Sequence, residues 1–145
     1  MSQTVEEDLI LERDGAVLMI TLNRPHRRNA LTFEMYEEIR QICSRAGKEG
    51  DLKDVKALIF IGGGDKAFAA GTDISRFKDF TSPQDAIDYE TRGEAVMEEI
   101  ESCAVPTIAA LNGFVTGGGA AIAGSCTIRI GAEDIKVGVP IARTL

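Results

Sequence analysis

Twice in this chain a short apolar run leads directly into glycines, and that repeat restricts the fold more than any other feature. The first is VKALIFIGGG, residues 55–64; the second is VPTIAALNGFVTGGGAAIAG, residues 105–124. A strand that is apolar at consecutive positions, not only at alternate ones, belongs to a sheet covered on both faces. Glycine inside a helix costs about 1 kcal/mol relative to alanine, so three in a row at a helix start call for a backbone reason. A helix N-terminus leaves N–H groups unpaired and partially positive, and glycine lets a ligand reach them. Tight packing of helix on strand explains the same glycines equally well.

The rest of the chain fits around these two units. DLILERDGAVLMITLNRP reads as a hairpin turning at Asp14-Gly15 and closed by Pro25. Thr32 is placed to cap a helix whose apolar face is Met35, Ile39, Ile42, Cys43 and Ala46, ending at Gly47. DKAFAAGTDI is read as a loop, with a short helix starting at DISRF. Ser82 and Pro83 signal a long helix reaching about Cys103, and its sparse apolar residues Ile87, Met97, Ile100 and Cys103 leave part of it facing water. FVTGGGAAIAG is a glycine turn entering a helix, and CTIRIGAED is a further strand. Alternation of strand and helix predicts an α/β fold.

Composition narrows the function classes. The net charge of −7 disfavours binding to nucleic acid or to an anionic membrane. The acidic opening MSQTVEEDLI is unlike a leader, and no apolar run reaches the roughly 18 residues of a membrane span. Three cysteines without tight spacing fit a reducing compartment, hence a cytoplasmic location. Cys43 and Cys103 fall at apolar helix positions, as buried thiols do. One histidine and no CxxC or HExxH pattern leave no metal site to propose. Two phosphate-loop patterns fail on spacing: neither glycine run ends in Gly-Lys-Ser/Thr, and Ile122 and Ala67 stand where a GxGxxG fingerprint needs glycine.

LNRPHRRNAL, KAFAAGTDI and PTIAALNGFVTGGGAAIAGSCTIRIGAED, in this order and spacing, resemble the enoyl-CoA hydratase/isomerase, or crotonase, superfamily. The resemblance runs from Leu9 to Leu145. It implies a spiral of repeated ββα units, with residues 1–145 forming the N-terminal portion of a crotonase-like core domain that is incomplete at the C-terminus. The helices that close the acyl pocket and the trimer would lie beyond it. It further implies an acyl-CoA thioester as substrate, coenzyme A present only as part of that substrate, no permanently bound cofactor, and a homotrimer or hexamer.

Site residues carry over by position. The backbone N–H groups of Thr72 and Gly118 correspond to an oxyanion hole for the thioester carbonyl, where preorganised donors stabilise growing negative charge. His26, Arg27 and Arg28 match the segment that meets the CoA phosphates and pantetheine, and with Arg24 they form a basic cluster on an acidic chain; without the resemblance, an ordinary solvated turn is the favoured reading. Ala70 and Gly71 match the loop that pairs with the adenine. Ile74 and Phe77 are candidate pocket walls, and Asp73 is read as a helix cap.

The two glutamates that hydratases of the family use as general acid and base correspond to Ala121 and Ile141. Neither side chain can move a proton, and such catalysis is typically worth about 10²–10⁴-fold. Two functions therefore stand: an acyl-CoA-processing lyase or isomerase that relies on enolate stabilisation, and a non-catalytic CoA-thioester-binding or assembly subunit.

Overall fold

The computed structural model describes residues 7–138. Strands β1 (Leu9–Asp14) and β2 (Val17–Leu22) form the expected antiparallel hairpin, with Asp14 opposite Val17 and Gly15 at φ 60° in the turn. Helix α1 (Phe33–Arg45) starts at Thr32, whose Oγ1 accepts from the Met35 N–H at 3.1 Å. Its buried face is Met35, Tyr36, Ile39, Ile42 and Cys43, the predicted stripe with one phenol added.

Strand β3 (Ala57–Gly62) pairs parallel with β2, and β5 (Thr107–Leu111) pairs parallel with β3. Between them lie β4 (Ala67–Ala70) and α2 (Pro83–Glu101). After β5 come β6 (Phe114–Thr116), α3 (Gly118–Ser125), β7 (Ile128–Gly131) and β8 (Val137–Gly138). Two sheets result, a five-stranded one ordered β1-β2-β3-β5-β7 and a three-stranded one ordered β4-β6-β8. The first turn of chain places both its strands in the larger sheet, each later turn adds one strand to each sheet, and the first three turns each continue into a helix. This is the spiral of ββα units expected for a crotonase fold.

Four elements differ from the sequence reading. Residues 67–70, read as loop, are the buried strand β4, and residues 114–116, read as a turn, are β6. Both are too short to show a period, and each is held by its partner from the adjacent turn of the spiral. The apolar run of β3 is not equally buried on its two faces: Leu58 and Phe60 are inaccessible, whereas Ala57, Ile59 and Ile61 are half-buried. The second long helix ends at Glu101, so Cys103 lies beyond it and is half-buried, unlike the buried Cys43. The N-terminal half of α2 faces solvent, with Ile87 exposed, and only Val96 and Ile100 are fully buried. Among the described residues no helix is long and apolar enough to cross a membrane.

The core is continuous. Leu18, Ile20, Leu22, Leu58, Phe60 and Ala109 from the larger sheet meet Ile39, Ile42, Ile100 and Ile122 from the helices, with Phe68 and Val115 joining from the smaller sheet. Where β3 and β5 leave the larger sheet, Asn112 bridges them. Its Oδ1 accepts from the Gly62 N–H at 3.1 Å, and its Nδ2 donates to the Gly62 carbonyl at 2.7 Å. That bridge fixes the point from which the chain crosses to β4 on one turn and to β6 on the next.

Candidate functional site

Strands β4 and β6 run parallel with Ala70 opposite Thr116. Two residues beyond each partner stand Thr72 and Gly118, so the two proposed donors occupy the same level on adjacent turns. Gly71 at φ 100° and Gly117 at φ 53°, ψ −122° bend the two exits in conformations that L side chains resist. A Cβ on Gly117 would lie 3.1 Å from the Gly71 Cα, so the exits also abut.

Both backbone N–H groups are available. Thr72 is bridged to Leu31: the Leu31 N–H donates to the Gly71 carbonyl at 2.9 Å and the Asp73 N–H to the Leu31 carbonyl at 2.8 Å. In that parallel pattern the N–H of Thr72 itself faces the opposite side. Gly118 opens α3, where an N–H has no partner within the helix. Neither N–H has an acceptor among the described residues.

A Cβ on Gly119 would collide with the Ala69 carbonyl and approach the Ala69 Cβ to 2.7 Å, so this residue serves packing of α3 on β4. A Cβ on Gly118 would collide with the Tyr36 hydroxyl and fall 2.8 Å from Thr72 Oγ1. At both positions the glycine is required by close packing, of α3 on β4 at Gly119 and of α3 against Tyr36 and Thr72 at Gly118.

Tyr36 was not legible as a site residue; its only signal was a polar-tipped side chain within the apolar stripe of α1. Its hydroxyl lies 2.8 Å from Thr72 Oγ1. Tyr36 is 9% exposed, and burial pushes its pKa up to about 12 against the smaller, opposing effect of the Thr72 hydrogen bond. The phenol therefore keeps its proton at neutral pH.

These groups line a cavity of about 1140 Å³ between α1, α2 and the start of α3. Phe33, Tyr36, Phe80, Tyr89 and Met97 supply apolar wall; Thr72, Gly117 and Gly118 supply the polar corner; Ala121 lies beside them. Ile74 and Phe77 are not among its walls. The 3₁₀ turn Ser75–Asp79 carries Ile74 into solvent at 65% exposed, and Phe77 stacks on Phe80 and Tyr89, with ring centroids 5.2 and 5.0 Å apart. Phe80 and Tyr89 thus line the wall instead. Ile141 lies outside the described residues.

The basic turn lies beside the same exit. A 3₁₀ turn, Pro25–Arg27, leaves His26, Arg27 and Arg28 exposed, with Arg28 at φ 51°. The Arg28 carbonyl accepts from the Ala70 N–H at 2.9 Å, so Arg28 and the Ala70–Gly71 segment are neighbours. Arg24 does not belong to the exposed cluster. Its guanidinium, 11% exposed, donates to Asp73 Oδ2 at 3.0 Å and to the Ala30 carbonyl at 2.7 Å. Asn29, also missed, is fully buried and holds this loop in place. Its Oδ1 accepts from the Arg24 N–H at 2.9 Å, and its Nδ2 donates to the carbonyls of Gly63 at 2.9 Å and Ala67 at 2.8 Å.

The cap position of the Ser75–Asp79 turn is held by Ile74, not by the expected Asp73, which instead secures the turn from one residue upstream. Asp73 Oδ1 accepts from the Ser75 N–H at 2.9 Å. That bond first, and the Arg24 guanidinium after it, lower its pKa to about 2. A carboxylate depressed in the folded state adds stability that is complete above its unfolded pKa near 4 and is lost as pH falls toward 2. Acid unfolding of Asp73→Asn is expected to show a weaker pH dependence across that window than the wild type, with lower stability at pH 7. Equal pH slopes for the two proteins would contradict the assignment.

Residues 12–144 match the family model for enoyl-CoA hydratase/isomerase. The chain is 36% identical over 133 residues to the short-chain-enoyl-CoA hydratase of Clostridium acetobutylicum, covering 92% of this chain and 49% of that protein. It is 37% identical over 134 residues to the crotonyl-CoA hydratase of Syntrophomonas wolfei, covering 92% and 50%. Among solved structures, an enoyl-CoA hydratase/carnithine racemase from Magnetospirillum magneticum superposes with a TM-score of 0.85 at 33% identity, over 97% of this chain and 52% of that one. An enoyl-CoA hydratase from Bacillus anthracis gives 0.83 at 27% identity, over 95% and 52%. The chain spans about half the length of the curated relatives it matches. On the match of its fold, its motifs and nearly its whole length, the chain belongs to the enoyl-CoA hydratase/isomerase family.

Proposed function

We propose that this chain is the CoA-thioester-binding portion of an acyl-CoA-processing lyase or isomerase, with Thr72 and Gly118 N–H as the oxyanion hole. The observation that carries this reading is their placement: two free N–H groups at matched levels past paired strands, on one wall of a cavity. A thioester oxygen between them would gain stabilisation as it becomes enolate-like, and losing one such donor typically costs about 3–4 kcal/mol. His26, Arg27 and Arg28 would meet the CoA phosphates, and Ala70 and Gly71 the adenine. Coenzyme A then enters with the substrate and no cofactor is held between turnovers. The working assembly is a cytoplasmic homotrimer or hexamer.

Hydration is the reaction named for several relatives. Here Ala121 lines the cavity and contributes no carboxylate, which favours chemistry built on enolate stabilisation. The same observation supports a second reading, a subunit that binds a CoA thioester without turning it over. Full-length protein incubated with a panel of enoyl- and acyl-CoAs, with products followed by mass spectrometry, separates the two. Turnover supports the enzyme; tight binding without turnover supports the subunit; absence of binding refutes both. Changing Arg27 and Arg28 together to alanine is expected to weaken acyl-CoA binding by about 10–100-fold, since charge-assisted hydrogen bonds are worth roughly 1.5–3 kcal/mol. The variant's affinity should also respond less to added salt. Unchanged calorimetric affinity would remove the turn from the site.

A further inference from the structure

We propose that the Tyr36–Thr72 hydroxyl pair is a third, side-chain donor of this site, giving a hydrogen bond to the thioester oxygen beside the two backbone N–H groups. The inference rests on the oxyanion-hole reading above and assigns a role to a residue that the family motifs do not mark.

The argument begins with a count of hydrogens. Two hydroxyls carry two O–H hydrogens, and their mutual bond at 2.8 Å uses one. Neither oxygen has another protein partner among the described residues. Whichever hydroxyl donates within the pair, the other has a hydrogen left to give. Both residues line the cavity, so the spare donor has that space in which to find an acceptor.

Position narrows the acceptor. The pair occupies the space where a Cβ of Gly118 would stand, against the residue whose N–H is a proposed donor. Thr72 supplies the other N–H and one of the two hydroxyls, so three donors share one corner of the cavity. An oxygen gaining negative charge there is the acceptor that satisfies all three. A phenol that stays protonated to about pH 12 suits donation and cannot act as a base near neutrality. The pair therefore strengthens polarisation and does not replace the missing carboxylates. A purely steric role would leave the hydroxyls dispensable, because phenylalanine and valine fill the same space.

Infrared difference spectroscopy of acyl-CoA labelled with ¹³C at the thioester carbonyl, bound to full-length protein, separates these roles. Wild-type protein is expected to shift the carbonyl stretch to lower frequency. The Tyr36→Phe/Thr72→Val double variant should lose part of that shift. Thr72→Ser, which keeps the hydroxyl, should retain the full shift. The two single variants, Tyr36→Phe and Thr72→Val, show which hydroxyl faces the ligand and carry the test if the double variant does not fold. A wild-type frequency in the double variant, or in both singles, overturns the proposal and leaves the backbone hole standing. Failure of wild-type protein to bind acyl-CoA by calorimetry removes the hole itself, and the third donor with it.

Discussion

Replacing Asn29 with leucine is expected to lower the unfolding free energy by about 3–5 kcal/mol, more than any exposed substitution in the chain. The side chain is inaccessible to solvent and makes three hydrogen bonds, to the Arg24 N–H and to the carbonyls of Gly63 and Ala67. Leucine fills the same volume, so water cannot take over, and each buried group left without a partner costs about 1–3 kcal/mol. Asn29 also sits at φ 58°, where a branched aliphatic residue is strained and asparagine is tolerated. Against a total stability of roughly 5–15 kcal/mol, this is a large fraction. Urea unfolding measures it, and Asn29→Gly, which tolerates the backbone angle, separates strain from lost hydrogen bonds. A loss under about 1 kcal/mol for the leucine variant would show that the loop does not depend on this residue. The consequence reaches the site, since Asn29 holds the turn that carries His26, Arg27 and Arg28.

The second large effect falls on activity. Gly118→Ala is expected to reduce turnover of acyl-CoA by about 10²-fold or more, on the scale of removing an oxyanion donor. Its methyl group would collide with the Tyr36 hydroxyl and stand 2.8 Å from Thr72 Oγ1. Accommodation requires the phenol to swing away, which breaks the hydroxyl pair and shifts the start of α3. Overpacking of this kind costs about 1–3 kcal/mol of stability. Adding Tyr36→Phe removes the nearer colliding oxygen and leaves Thr72 Oγ1 at 2.8 Å, so the double variant should regain part of the stability and little of the turnover. That opposite behaviour of two readouts is the signature of coupling through the hydroxyl. Full activity in Gly118→Ala would show that the corner does not hold the reacting carbonyl.

What the sequence made readable, and what it hid, divides along physical lines. The hairpin, α1, α2, β3, β5 and the entry to α3 announce themselves through local patterns: a turn dipeptide, a capping threonine, a stripe of apolar residues, a run into glycine. The family motifs brought Thr72 and Gly118 forward, and the matched register of β4 and β6 sets them level. The smaller sheet was invisible because β4 and β6 are four and three residues long and owe their form to each other across the spiral. Arg24 was grouped with its basic neighbours, since only folding brings Asp73 to it at 3.0 Å. Ile74 and Phe77 were expected in the pocket because they follow the oxyanion loop. The 3₁₀ turn instead exposes Ile74 and directs Phe77 onto the aromatic cluster behind the wall. Tyr36 stood outside the apolar stripe read from the sequence, and only folding brings its hydroxyl beside Thr72 and Gly118.

The coiled path of the chain also sets an order in time. Ile20 pairs with Phe60, and Ile59 with Ile108, so β2 and β3, and β3 and β5, are separated by about 40–50 residues of chain. Parallel pairings at that separation close large loops before contacts reward them, and they form more slowly than helical hairpins. During synthesis on a ribosome, Thr72 emerges well before the glycine it must face. The corner that would hold the thioester is completed only when the turn bearing Gly118 has closed onto the one before it. Ligand binding by arrested nascent chains of increasing length would therefore switch on at a step, after α3 has cleared the exit tunnel, and not rise gradually with each added residue.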